Sequence, residues 1–582
     1  MKLSDYVINA MHQIDRAVRT RGLGHTVRLA LRVMATEGPA GVGRRLDALG
    51  PALRARRAAE PGAALILTTP HMLHFARRMQ AILAEAGINA ELSDNDRAAQ
   101  GYDTVFAIAP QNFPAVPAER CIAFQVEQST LPHRWTGNYL RQLGDCRAVL
   151  EYSQQNIPAL QDHVPLRRIY HVPLTPLPPE QASKNRGHSV LFYGDASPER
   201  RARMLAEIQA ALPELEIETN LFGPRMAERL SRTAIVLNIH SRKGGLLEVA
   251  RISEAMAHGC IVVSETASDQ DRHEALADQV AFAPEGNTAA LIAALRKLLN
   301  DPDALRQKQE AAARPRPDRF RLGFLRALLG LDLITPTAFE QLASDYPSPI
   351  VDSGQMPHIC LSLPETPIRS KAFLQQDRRG FRIWPGLKAD PGWRGAALSY
   401  RHLMRALKAA NIPEALIVED DVILPADFDR RLDLIRTYMD KCDADLFSGL
   451  IVDLNPDVQV LGVERRGGLC LVQLDRAVMM ICNLYRQRMI DYLADWDDTD
   501  DNAFSNTIDR YMERATHLRV VTTLPFTADY GASLQSTLRE ADNHVFDALR
   551  ARSETLLARK VAAFERSLPV RKGIRTEQEL VP

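Results

Sequence analysis

An apolar run, Leu416-Ile417-Val418, ends in three consecutive carboxylates, Glu419-Asp420-Asp421, and apolar sequence resumes at Val422. Carboxylates beside a buried strand repel one another and are costly to desolvate unless a positive partner is present. A hard divalent cation, Mn²⁺ or Mg²⁺, is a natural partner, because it prefers oxygen ligands and can share them with a diphosphate. Alternate side chains of an extended strand point to opposite faces. Glu419 and Asp421 therefore fall on one side, well placed to hold one metal, and Asp420 falls on the other.

A second grouping lies earlier in the chain. Gly244-Gly245 precedes a helix expected to begin at residue 246, whose free backbone N–H groups could cradle a diphosphate. Arg242 and Lys243 add positive charge there, and with a helix dipole and cations no metal is required. Glu248 and Arg251 share a helix face and can form an ion pair or reach a donor. Glu254 lies about 240° round the helix from Glu248, on another face. His240 reads either as a base or as a core histidine. Glu127-Gln128, after the apolar run Cys121–Val126, is a candidate acceptor contact.

These groups need elements to hold them. The chain has 582 residues, 46% hydrophobic and 25% charged, which suits three or four globular units and excludes disordered and fibrous classes. Lys+Arg and Asp+Glu are both 72, so no net field argues for nucleic acid as a partner. Seven scattered cysteines without a CxxC pair exclude a disulfide framework and the usual structural zinc spacing. The N-terminus lacks a continuous apolar stretch, and no window approaches about 20 apolar residues, so a cytoplasmic protein is expected.

Residues 1–60 read as arginine-rich helices, either a packing hairpin or a surface meeting anionic lipid. Residues 61–180 and 181–300 each alternate short apolar strands with helices, the pattern of parallel sheets covered on both faces. Together they predict two Rossmann-like lobes, the first on the acceptor side and the second on the donor side, joined by the Pro-rich stretch 171–181. Residues 301–356 read as a connector. A third α/β unit is expected over 357–540, and residues 541–582 as an amphipathic helix and tail.

Several blocks carry family resemblances. HICLSLPETPIR (His358–Arg369), GAALSY (Gly395–Tyr400), EDDVILPADF (Glu419–Phe428), LFSGLIVDL (Leu446–Leu454), Ile508-Asp509 and LPFTADYGASLQS (Leu524–Ser536) resemble, in order and spacing, the family 25 glycosyltransferases of the lipopolysaccharide and collagen galactosyltransferase type. Ser362 stands in the family's Asn place and Tyr400 in its His place, with His402 two residues on. The resemblance implies a GT-A-like domain, a nucleotide-sugar donor, Mn²⁺ or Mg²⁺, and inversion at the anomeric carbon. Inversion needs a general base on the acceptor hydroxyl, for which Asp453 and Asp509 are both candidates. Glu419 and Asp421 become metal or donor-phosphate ligands, Asp420 a contact to the ribose or to a supporting group, and Arg369 a candidate cation for the donor phosphate. LFYGDASPERR (Leu191–Arg201) and the stretch from Asn238 to Glu265 resemble the donor lobe of GT-B glycosyltransferases. That resemblance implies donor contacts from Gly194, Asn238, His240, Glu248 and Arg251, with no cofactor in this module; the family's helix carries a second glutamate eight residues on, where this chain has Met256, which cannot grip ribose hydroxyls.

The expectation is an α/β protein with a GT-B-like double Rossmann module followed by a GT-A-like domain, flanked by helical segments. It would be a two-module hexosyltransferase that moves sugars from nucleotide-sugar donors to a growing bacterial surface glycan, lipopolysaccharide or capsule. A glycan or lipid-linked acceptor would suit peripheral contact with the inner face of the membrane. The alternatives are a single active family 25-like transferase with an acceptor-binding GT-B-like module, and a non-catalytic assembly scaffold.

Overall fold

A computed structural model describes residues 62–176, 189–314, 316–344, 356–377, 379–531 and 543–568, with a few isolated positions between 24 and 35. Apart from those isolated positions, the helices expected over residues 1–60 lie outside the described residues, as do residues 177–181 of the Pro-rich stretch and Gln535-Ser536. The chain divides into two compact units: the first runs to Leu328, and the second holds the strands from His358 onward.

Short runs such as Ala64-Leu65-Ile66-Leu67 are buried along their whole length, as strands covered on both faces must be. In the first unit, β1 (Ala64–Leu67), β2 (Ala90–Ser93), β3 (Thr104–Ile108), β4 (Cys121–Gln125), β5 (Ala148–Glu151) and β6 (Ile169–His171) form one sheet, in the order β2-β1-β3-β4-β5-β6. All of its pairings are parallel. A second parallel sheet contains β7 (Val190–Tyr193), β8 (Leu215–Glu218), β9 (Ile235–Asn238), β10 (Ile261–Glu265) and β11 (Ala281–Ala283), in the order β8-β7-β9-β10-β11. Helices cover both sheets; Leu73–Glu85 buries Phe75, Met79, Ile82 and Leu83, the face its spacing predicts. These are two Rossmann-like lobes. Strands β2 and β6 escape the sequence reading because ELS and IYH are too short and too polar to show a period.

Residues 301–356 are more than a connector. The helix Arg319–Gly330 returns to the first lobe, where Phe320 packs on Phe75 and Phe124 with ring centroids 5.9 and 6.2 Å apart, and Phe324 packs on Phe106 at 5.5 Å. Arg78 lies over the Phe320 ring at 4.4 Å and bonds Asp318 at 2.5 Å. Gly323 permits the approach: a Cβ there would meet the His171 carbonyl oxygen at 2.7 Å. The sequence shows an apolar helix but not which surface it fills.

The second unit holds an eight-stranded mixed sheet. Its strands are β12 (His358–Ser362), β13 (Arg382–Pro385), β14 (Glu414–Glu419), β16 (Leu446–Ser448), β17 (Val460–Arg466), β18 (Leu469–Leu474), β19 (Cys482–Arg486) and β20 (Val520–Leu524), in the order β13-β12-β14-β19-β16-β20-β18-β17. β15 (Val422–Ile423) and β21 (Asp529–Tyr530) make a separate antiparallel pair. The helix Asp547–Ser567 buries Leu557 and Val561 in this unit, and Arg550 ties it to Asp529 at 2.7 Å. Among the described residues no helix is long and apolar enough to cross a membrane.

Candidate functional site

In the second lobe the strand order reverses between β7 and β9. Open parallel sheets take ligands at such a point, beyond the carboxyl ends of the strands. Gly194 follows β7 with φ +124°, a conformation that favours glycine. A Cβ there would stand 2.9 Å from Arg251 Nη2, so the glycine lets that guanidinium lie against the turn. Asn238 closes β9. Its amide donates to Ser264 Oγ at 3.0 Å, and its carbonyl oxygen accepts from Arg251 Nη1 at 3.0 Å.

Glu248 sits between two guanidiniums. It accepts from Arg201 Nη2 at 2.7 Å and pairs with Arg251 Nη1 at 2.6 Å. Arg201 is held in turn by the carbonyl oxygens of Asp195 at 2.7 Å and Ile239 at 2.8 Å. Burial opposes ionisation of Glu248, but Arg251 and Arg201 outweigh it and hold the carboxyl below its usual range. Burial pushes Glu254, on the other face of the helix, up to about 8.

His240 is 1% exposed, and neither ring nitrogen has a hydrogen-bond partner. Its backbone is fixed: the N–H donates to Glu265 Oε2 at 2.8 Å, and the carbonyl oxygen accepts from Arg200 Nη1 at 2.8 Å. Arg200 also pairs with Glu265. The structure thus gathers Gly194, Asn238, Glu248 and Arg251 into one cluster, with His240 two residues beyond Asn238. Sequence reasoning overlooked Arg201 and Glu265. The signal available was Arg200-Arg201 at the start of the helix after the Gly194 turn, and a carboxylate at the end of an apolar strand.

The phosphate cradle expected at residue 246 is corrected. The helix runs from Val249 to Ala257, with Glu248 as its N-cap. Gln128 Oε1 accepts from the Leu246 N–H at 2.9 Å, Asp269 Oδ1 from the Leu247 N–H at 2.9 Å, and Glu285 Oε1 from the Gly244 N–H at 2.7 Å. Leu246 and Leu247 are buried, and buried amides require partners. Arg242 and Lys243 are exposed. Gln128, expected on an acceptor, is instead spent on the second lobe.

In the second unit Glu419 ends β14 and the next two carboxylates lie beyond it. Asp420 accepts from Ser362 Oγ at 2.6 Å and from Arg369. Arg369 also pairs with Asp421 Oδ2 at 3.3 Å, where Asn543 donates at 3.0 Å. Asp420 and Asp421 therefore converge on one guanidinium rather than facing opposite ways, because the strand ends at Glu419 and its alternation ends with it. Arg369, expected on a donor phosphate, supplies the positive partner of the acidic turn. Glu419 accepts from the Tyr400 hydroxyl at 3.2 Å, which also donates to the Met480 carbonyl oxygen at 2.9 Å. Burial, then Asp421 and Asp420, push the Glu419 carboxyl up to about 8. Burial also raises Asp420 against the pull of Arg369.

Among the described residues no group of three or more His, Cys, Asp and Glu is arranged to hold a metal ion. Two carboxylates and a diphosphate would still suffice for Mg²⁺ or Mn²⁺. Asp421 Oδ1 is buried with no hydrogen-bond partner, so that oxygen is the one able to join Glu419 in holding such an ion, while Oδ2 is taken by Arg369 and Asn543.

Asp453 is exposed and pairs with Arg510. Asp509 stands in the first turn of the helix Ile508–Glu513, where its Oδ1 accepts from the Arg510 N–H at 2.9 Å. The Arg510 guanidinium thus holds Asp453 and Glu513, while Asp509 meets only the adjacent backbone. No described hydrogen bond joins either to the acidic turn. His402 is buried against Trp384 with ring centroids 5.7 Å apart, and burial pulls its pKa down to about 4.

Residues 180–319 match a family model described as "Glycosyl transferase-like". This is the second lobe with the start of its return helix. The second lobe is thus similar to a glycosyl transferase-like domain, and it follows a first lobe that is also Rossmann-like. Solved structures similar to the chain include a point mutant of S. aureus TarM in complex with fondaparinux, α-GlcNAc-glycerol and UDP (10% identity, 40% of this chain and 56% of that one, TM-score 0.29). WaaG, a glycosyltransferase involved in lipopolysaccharide biosynthesis, matches at 13% identity over 47% of this chain and 99% of that one, with TM-score 0.33. Anabaena HepE in complex with UDP and glucose matches at 14% identity over 48% and 98%, with TM-score 0.30. The chain spans about half the length of the TarM structures it matches. No curated protein sequence matches it.

Proposed function

We propose that the first unit is a GT-B-like glycosyltransferase module that binds a nucleotide-sugar donor beyond β7 and β9. The observation that carries this reading is the Arg201–Glu248–Arg251–Asn238 cluster at the reversal of strand order, inside the segment that matches the glycosyl transferase-like family. Two fixed guanidiniums against one carboxylate leave net positive charge where a diphosphate would lie. His240, with two unpartnered ring nitrogens, offers a donor or acceptor to the sugar or phosphate.

The second unit acts as a GT-A-like, family 25-like inverting transferase. Glu419 and Asp421 would hold Mn²⁺ or Mg²⁺, which when bound neutralises charge on the leaving diphosphate. Arg369, Ser362 and Asn543 hold the carboxylates in place. Asp453 or Asp509 takes the acceptor proton. Joining two transferases in one chain raises the effective concentration of one product at the next site. The acceptor is a growing bacterial surface glycan, lipopolysaccharide or capsule, met at the inner face of the membrane.

The test is thermal stabilisation and sugar transfer with a panel of nucleotide sugars, with and without Mn²⁺. Arg251→Met should remove metal-independent nucleotide binding and leave the Mn²⁺-dependent response. Asp421→Asn should do the reverse. A wild-type chain that answers to no nucleotide sugar refutes the reading.

A further inference from the structure

The two lobes of the first unit meet at a side chain that the chemistry above does not use. Gln128 Nε2 donates to the Leu246 carbonyl oxygen at 3.1 Å, while its Oε1 accepts from the Leu246 N–H at 2.9 Å. One carboxamide thus satisfies both backbone groups of a fully buried residue in the other lobe. The approach is close, since a Cβ on Gly245 would lie 3.4 Å from Gln128 Oε1 and 3.9 Å from His240 Cβ. The loop that Gln128 grips therefore lies over His240 and leads two residues on to Glu248.

Gln128 is itself held rigidly. Asn156 Oδ1 accepts from the Ser129 N–H at 3.0 Å, and Asn156 Nδ2 donates to the Glu127 carbonyl oxygen at 3.1 Å. The same Nδ2 donates to Glu151 Oε1 at 2.9 Å, and Gln125 Nε2 donates to Glu151 Oε2 at 2.7 Å. Gln125 and Glu151 end β4 and β5, Asn156 stands at the start of the following helix, and all three are buried. A buried, fully bonded carboxylate is an anchor that does not move. The chain of contacts runs from Glu151 through Asn156 to the Gln128 loop, and then across the cleft to Leu246.

We propose that Gln128 is a positioning residue: through it the first lobe fixes Leu246, and with it the loop 244–248 that carries Glu248 and covers His240. This rests on the reading of the second lobe as the donor site. A second contact across the cleft, Arg272 Nη1 to Gln154 Oε1 at 2.9 Å, touches neither that loop nor Gln128, and it serves as the control.

The experiment is amide hydrogen exchange on the full chain, comparing wild type with Gln128→Ala and Arg272→Ala, without ligand and with UDP. Loss of its acceptor predicts exchange at Leu246 about 5- to 30-fold faster in Gln128→Ala, while the Leu247 N–H keeps Asp269. Amides of β9 should be unchanged, as should Leu246 in Arg272→Ala. UDP affinity should fall several-fold in Gln128→Ala, and Gln128→Glu, which keeps the acceptor for the Leu246 N–H, should recover part of the protection. Unchanged exchange at Leu246 in Gln128→Ala overturns the proposal, as does an equal rise in Arg272→Ala or UDP binding that ignores the opened loop. A wild type that shows the exchange pattern but binds no nucleotide refutes the donor-site reading and the positioning role, while the Gln128 contact itself stands.

Discussion

Replacing Glu248 by glutamine tests the charge cluster directly. In the folded protein the carboxylate takes one bond from Arg201 at 2.7 Å and one from Arg251 at 2.6 Å. The three side chains are 17%, 4% and 18% exposed, so solvent screens the pair only in part. Bonds of this kind contribute about 1.5–3 kcal/mol each. Glutamine keeps one acceptor oxygen but turns an NH₂ toward a guanidinium that can only donate. The change should cost about 2–4 kcal/mol, the loss of one such bond with part of the charge attraction. At roughly 2–4 °C per kcal/mol, the first unit should melt some 4–16 °C lower.

The effect carries its own pH signature. The folded pKa of Glu248 lies below the unfolded value of 4.5, so the folded state binds fewer protons there. The carboxylate's contribution is therefore fully present above 4.5 and is lost as pH falls through the folded value. Urea unfolding of wild type and Glu248→Gln should show the full gap near pH 7, and the gap should shrink on acidification below 4.5. A gap that persists unchanged at acid pH, or no gap at neutral pH, refutes an ionised Glu248 shared by two arginines.

Gly194→Ala should lower stability by roughly 1–3 kcal/mol, since alanine resists a positive φ and its Cβ would meet Arg251 Nη2 at 2.9 Å. Calorimetry reads the loss, and displacement of Arg251 should weaken UDP binding in the same variant. Ser553→Ala should cost about 1–3 kcal/mol in the second unit, because Ser553 Oγ donates to the Val452 carbonyl oxygen at 2.7 Å and accepts from the Leu454 N–H at 2.9 Å. The same variant should loosen the segment around Asp453, seen as faster amide exchange at Leu454. Phe320→Ala should cost about 3–5 kcal/mol through the cavity left among Phe75, Phe124 and Phe324, measured by urea unfolding of the first unit.

Much of the fold is local in origin and therefore legible. Runs such as ALIL, TVFAI, CIAFQ and IVLN are buried strands because continuous apolar sequence of that length can satisfy itself only inside a covered sheet. The pair Glu248–Arg251 is legible for the same reason, an N-cap and a first-turn residue three apart in sequence. The acidic turn shows itself as a burst of charge after β14, and the Gly194 turn as a glycine between a strand and a helix.

Tertiary structure decided the partners. Arg369 meets Asp420 and Asp421 across some fifty residues of chain, and Arg201 meets Glu248 across 47. Gln128 reaches Leu246 at a separation of 118. No periodicity encodes such distances; they follow from which strand ends the two sheets bring together. The return of Arg319–Gly330 to the first lobe is of the same kind: an apolar helix declares that it must be buried, while the surface that buries it is set by the sheet it meets. The order of residues alone says which side chains carry charge and which must leave water, because those are properties of side chains and near neighbours. Which carboxylate a given arginine neutralises, and which backbone amides remain for a ligand, depends on long-range packing, and only the folded chain supplies it.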